Sequence, residues 1–158
     1  FPNRWDLSEK IGGDLYDIHD PVPHYRERVG DATHTMFGKF TADWPVWRAN
    51  WTIVDTPELY QPTAAVLAPG RGADLAQRTY LRTERQTMRV LPSGDVLFTI
   101  RTHVASLAEL ERADPGFRGR LHSALVTVPA DTRTYKGWDA IWADLVAWSS
   151  TGKGLVQE

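Results

Sequence analysis

Apolar side chains at Leu7, Ile11, Leu15 and Ile18 recur every three or four residues, which is the period of one helical face. Asp6 with Glu9 three residues later has the form of a capping box. The opening therefore reads as one short amphipathic helix, stopped where Pro21 and Pro23 restrict the backbone. His19 follows Leu15 by four residues and so falls near the core side of that stripe. Tyr25, Val29, Met36, Phe37 and Phe40 then predict a second helix, with Arg26, Glu27 and Arg28 solvated on its other face and His34 off the stripe at the surface. From Val46 to Val54 the period changes to two. Trp47, Ala49, Trp51 and Ile53 fall on one face and Arg48, Asn50 and Thr52 on the other, the pattern of a half-buried strand. Leu59 to Ala76 is rich in Pro, Ala and Gly and reads as a loop able to cover or open a site.

Thr79 to Val104 reads as a hairpin turning at Pro92-Ser93-Gly94-Asp95. With Ser93 and Gly94 as a two-residue loop, Glu84 stands opposite His103 and Gln86 opposite Arg101. One face then carries Arg82, Glu84, Gln86, Arg101 and His103, and a slip of one residue would dismantle that set. Beyond the hairpin, Asp114-Pro115 starts a helix carrying Leu121, Ala124, Leu125 and Val128. A last helix runs from about Trp138 through Ile141, Trp142, Leu145 and Val146, ahead of a small, polar stretch from Ser149 that reads as a frayed tail. The strands are neighbours in sequence and do not alternate with helices, so the fold class is α+β, an antiparallel sheet with flanking helices.

At 158 residues and 42% hydrophobic, the chain has enough apolar surface for one core and reads as a single domain over residues 1–148. Cysteine is absent, which rules out disulfides, thiolate zinc sites, iron–sulfur clusters and a thiolate-ligated haem within this sequence. Any iron held here must sit on nitrogen or oxygen. A net charge of −2 and a pI near 6.2 give no electrostatic footprint for nucleic acid or an anionic membrane. With no bilayer-length apolar run and no signal-peptide pattern, a cytoplasmic location is the expectation. Seven tryptophans supply flat surface suited to a wide pocket or to an aromatic-rich core. No Gly-rich phosphate loop is present, so a nucleotide or flavin would bind on another chain.

Four blocks carry a resemblance. They are Phe-Pro-Asn-Arg-Trp at 1–5 with Ile-His-Asp-Pro-Val-Pro at 18–23; Val-Trp-Arg-Ala-Asn-Trp at 46–51; Arg-Thr-Glu-Arg-Gln-Thr at 82–87 with Leu91-Pro92-Ser93-Gly94; and Phe-Thr-Ile-Arg-Thr at 98–102. With Tyr135-Lys136-Gly137 near the end, their order covers nearly the whole chain, which resembles the alpha subunit of haem-dependent oxidative N-demethylase and its relatives. The resemblance implies haem b in a PAS-like fold, oxidative removal of a methyl group from a small amine such as dimethylamine, O2 as oxidant, and electrons from NADPH through flavin and iron–sulfur reductase subunits. It also implies a segment upstream of Phe1, because the Phe-Pro-Asn-Arg-Trp block lies inside the family's chains.

By the same resemblance, His19 is the proximal ligand of the haem iron, with His24 and then His103 as rivals and His122 as a structural residue. Glu84 is the catalytic-site carboxylate that receives the amine cation, or else the partner of an ordinary salt bridge to Arg82 or Arg101. Arg4, Arg48 and Arg101 are candidates for the haem propionates. His103 departs from the family pattern, where tyrosine follows the Arg-Thr pair. A haem-PAS gas or redox sensor and a haem-free binding module are the other classes open to such a chain.

Overall fold

The computed structural model describes residues 6–61 and 72–151, except the side chains of Leu7, Gly72 and Ala73. Three strands form its sheet, in the order β1 (Val46–Val54), β2 (Tyr80–Val90), β3 (Val96–Ser106), antiparallel throughout. Helices α1 (Leu15–His19) and α2 (Asp31–Phe37) precede the sheet, with a π-helical turn at Arg26–Gly30 between them. Helix α3 (Gly72–Arg78) leads into β2. Helices α4 (Leu107–Ala113), α5 (Phe117–Leu125), α6 (Ala130–Tyr135) and α7 (Trp142–Ser150) follow β3. The α+β expectation and the boundaries of β1 agree with this layout. Several details of the sequence reading do not.

The opening is not one helix. A short 3-10 turn at Leu7–Glu9 gives way to α1, whose capping box pairs Asp14 with Asp17 and leaves the Asp6 side chain to bond only Ser8. Asp14 Oδ1 accepts from the Tyr16 and Asp17 amides at 2.7 and 2.9 Å, and Asp17 Oδ2 accepts from the Asp14 amide at 3.1 Å. The break falls at Gly12-Gly13, where Gly12 adopts φ +86°, open to glycine and costly for other residues. Ile11, expected on the buried stripe, is consequently 73% exposed.

The hairpin register differs by one residue from the expected one. Leu91 accepts from the Gly94 amide at 2.9 Å and donates to the Asp95 carbonyl at 2.8 Å, so three residues form the loop. Gly94, at φ +90°, closes it as a turn followed by a bulge. This odd-length loop sets Glu84 opposite Thr102, Gln86 opposite Ile100 and Arg85 opposite Arg101. Arg82, Glu84 and Gln86 keep their common face, while Arg101 and His103 move to the other one. A Cβ on Gly94 would meet nothing within 4 Å, so Gly94→Ala is expected to cost only backbone strain, about 1 kcal/mol. The midpoint of urea unfolding measures it; an unchanged midpoint would contradict the left-handed turn.

Third, Gly72 onward is helix, not loop, and β3 passes straight into α4 through a second capping box. Ser106 Oγ accepts from the Glu109 amide at 3.2 Å, and Glu109 Oε2 accepts from the Ser106 amide at 2.9 Å. The bond from the Ser106 amide and, after it, one from the Ser106 hydroxyl to Glu109 Oε2 at 2.8 Å hold the Glu109 carboxyl below its ordinary pKa.

The core lies where Ile53 of β1 meets the helices. Leu75, Leu107, Leu121, Leu125, Trp138, Ile141 and Leu145 pack with it, and Trp51 and Leu81 of the same sheet face border the cluster. The last helix keeps going where a frayed tail was expected: Ser149 is fully buried on α7 and accepts from His122 Nδ1 on α5 at 3.1 Å, its own hydroxyl donating to the Val146 carbonyl. His122 is thus committed to joining two helices, as expected of a structural histidine.

Candidate functional site

His19 is the last residue of α1, half-buried, with its ring stacked on Tyr25 at 4.4 Å between centroids and 8° between planes. Its Nδ1 lies 2.8 Å from the carbonyl of Leu15 one turn earlier. A carbonyl only accepts, so Nδ1 carries a proton, and in the neutral tautomer this leaves the lone pair on Nε2. That nitrogen makes no hydrogen bond among the described residues. Beneath the ring, the hydroxyl of the buried Tyr25 is also without a partner there. A fixed tautomer with a free Nε2 is what a metal-binding imidazole needs.

The even-numbered sheet face carries a chain of hydrogen-bonded polar side chains. Arg82 is fully buried, its Nη1 donating to the Leu59 carbonyl at 2.9 Å and its Nε lying 3.4 Å from Glu84 Oε1. Glu84 Oε2 accepts from Gln86 Nε2 at 3.1 Å, and Gln86 Oε1 accepts from Arg48 Nε of β1 at 2.6 Å. The Glu84 side chain is 14% exposed. Two bonds leave acceptor capacity on a carboxylate that offers about four lone-pair positions. The salt bridge to Arg82 is therefore present, the one to Arg101 is not.

The remaining candidates separate. His24 adopts φ +55° and binds Asp131 of α6 through Nε2 at 2.8 Å, so its own distal nitrogen is occupied. His103 and Arg101 are exposed on the odd-numbered sheet face, away from Glu84. Arg4 lies outside the described residues. A groove of about 600 Å³ opens between α3, α4, α5 and α7, lined by Glu111, Arg118, Asp144 and Trp148 among others; neither α1 nor the sheet contributes to it.

Residues 1–146 match the model of one protein family, haem-dependent oxidative N-demethylase, alpha subunit-like. The chain belongs to this family. Haem brings four nitrogens of its own and asks the protein for one more, which is what His19 Nε2 can give. A bare metal ion would need several protein ligands, and among the described residues no group of three His, Asp or Glu side chains is placed to supply them. The residues present thus fit the haem that the family name carries. Among the described residues, no helix is long and apolar enough to cross a membrane.

One pair of long-range contacts near Glu84 was missed in the sequence apart from its motif. Lys136 Nζ donates to the Trp51 carbonyl at 2.9 Å, and Trp138 Nε1 donates to the Ile53 carbonyl at 3.2 Å. Carbonyls two apart in a strand point the same way, so this Lys-Gly-Trp segment clamps the outer edge of β1. Burial pushes the Lys136 ammonium below its ordinary pKa, and the Glu84 charge pulls it back up. The clamp therefore brings a second cation within electrostatic reach of the carboxylate. The Tyr135-Lys136-Gly137 block was the available signal.

Proposed function

We propose that this chain is the haem-bearing part of an oxidative N-demethylase acting on a small secondary amine, dimethylamine or a close homologue, in a PAS-like fold. The observation that carries the proposal is the His19 ring, held by its Nδ1 proton on the Leu15 carbonyl with Nε2 free. Bound haem would supply the oxidation of an N-methyl group by O2 with two electrons and two protons, giving the demethylated amine, formaldehyde and water. Those electrons come from a reductase on partner subunits, in keeping with the absence of cysteine and of a phosphate-binding glycine loop.

The chain's own contribution is positional. His19 Nε2 holds the iron from the α1 side. Glu84 receives the substrate ammonium: its carboxylate is nearly out of solvent, where attraction to a cation is strong, and among the described residues it bonds only Arg82 and Gln86. Arg82 and Gln86 fix the rotamer of that carboxylate. Arg48 is exposed apart from its bond to Gln86, which leaves its terminal nitrogens for a propionate. Arg101 is not carried into this role, since it leaves the sheet on the other face.

An absorption titration tests the reading. Added hemin is expected to give a Soret band that shifts on adding dimethylamine; a chain that takes up no hemin would sink the proposal. Glu84→Gln is expected to keep the Soret band while weakening the amine-induced shift by about tenfold or more, the range for loss of a charge from a shielded hydrogen bond. An undiminished amine response in that variant would remove Glu84 from the site.

A further inference from the structure

The odd-numbered sheet face holds a feature that neither haem nor amine binding uses. In its outer half, Arg85 of β2 stands directly opposite Arg101 of β3, with Arg89 four residues further along β2 and His103, opposite Thr83, two residues further along β3. All four are exposed. Like charges directly opposite one another on a sheet oppose its folding. No ion pair relieves them: Arg85, Arg89 and Arg101 bind no carboxylate among the described residues, and no strand position on this face is acidic. The arginines border apolar surface. Trp47 is 63% exposed with the Arg85 guanidinium 5.3 Å from its ring centroid, and Leu97, opposite Arg89, is 47% exposed.

We propose that this face docks the acidic surface of a second protein. Exposed Trp and Arg side by side are the side chains that dominate protein interfaces, and the unrelieved positive charge sets the sign of the partner. A chain of net charge −2 that concentrates cations on one sheet face is built to orient a partner more than to hold a polyanion. Three strands about 4.8 Å apart, along about seven residues of about 3.3 Å each, give a patch of only a few hundred Å², the core of a small and short-lived contact. Encounters of that size are typical of electron transfer. Identifying the partner as the electron donor rests on the demethylase reading; the docking surface does not.

The experiment uses the chain without added hemin, so its result is independent of the haem reading. An acidic [2Fe–2S] ferredoxin serves as the probe, titrated calorimetrically at low and moderate salt. Binding in the micromolar range is expected, weakening about tenfold or more between about 20 and 300 mM salt as screening shortens the reach of the charges. Arg101→Glu gives the decisive variant, because it replaces a like-charge pair with an opposite-charge pair across the strands. It is expected to raise the unfolding temperature or leave it unchanged while weakening ferredoxin binding about tenfold or more. Damage to the fold would move both quantities down together. Trp47→Ala is expected to weaken binding with the salt dependence preserved, and the helical control Lys39→Glu/Arg112→Glu, exposed charges in the turn that ends α2 and on α4, to leave it unchanged. The proposal fails if no binding is seen, if Arg101→Glu binds as well as the parent, if the helical control weakens binding equally, or if duplex DNA or phosphatidylserine vesicles bind more tightly than the ferredoxin.

Discussion

Replacing His19 with alanine is expected to leave the chain folded and unable to keep haem. The side chain is half-buried at the end of a five-residue helix, and its structural contacts are few: the stack on Tyr25 and the bond to the Leu15 carbonyl. Losing a stack and a hydrogen bond costs about 1–2 kcal/mol, a fraction of the 5–15 kcal/mol that holds a typical domain together. Far-UV circular dichroism should therefore be unchanged. Disturbing a group that merely orients a metal-bound histidine costs about 10–100-fold in affinity, so removal of the ligand itself should cost about 100-fold at least. Hemin titration of His19→Ala should show no Soret band where the parent shows one. His24→Ala should retain it, because the nitrogen that would compete for iron already binds Asp131. A full Soret band in His19→Ala, with loss in His24→Ala, would move the ligand to the other end of the Asp-Pro turn.

Trp138→Ala is expected to give the largest loss of stability. The side chain is fully buried in the core cluster, its ring lies 5.2 Å from that of Trp51, and its indole nitrogen is bonded to the Ile53 carbonyl. Truncating a buried tryptophan costs about 3–5 kcal/mol through lost burial and the cavity left behind. Trp138→Phe separates the two contributions: it keeps most of the apolar surface and leaves the carbonyl without its donor, at about 1–2 kcal/mol. Urea denaturation of the three proteins checks this order. A loss below about 1 kcal/mol for Trp138→Ala would mean that the core closes over the gap, contrary to the packing described.

Those elements whose pattern is local were legible before any coordinates. The alternation at 46–54 marks β1 to the residue, and Arg82, Glu84 and Gln86 share a face whatever the loop does, because they sit on one strand. Whether Arg101 and His103 join them depends on the parity of the loop at the end of the hairpin, and Pro-Ser-Gly-Asp permits either two or three loop residues. Two helix starts were misplaced for a related reason. Asp6–Glu9 and Asp14–Asp17 have the same spacing, and it is the glycine pair between them that decides which one caps a helix. Ser106–Glu109 was readable as a capping box but is hidden under the hairpin, since the capping residue is also the last of β3. The long-range contacts, such as Lys136 on Trp51 and His24 on Asp131, have no periodicity to announce them.

Lys136 and Trp138 give the sheet two unequal sides. Along β1 the outward carbonyls of Trp51 and Ile53 are already spoken for, so a foreign strand meets side chains where it needs bare backbone. Along β3 the described residues offer no such cover. Growth of the sheet, whether by a neighbouring subunit or by aggregation after damage, is thereby hindered at the Trp51–Ile53 end of β1, and among the described residues β3, on the far side from the strand that carries Arg48, is the edge that lacks this obstacle.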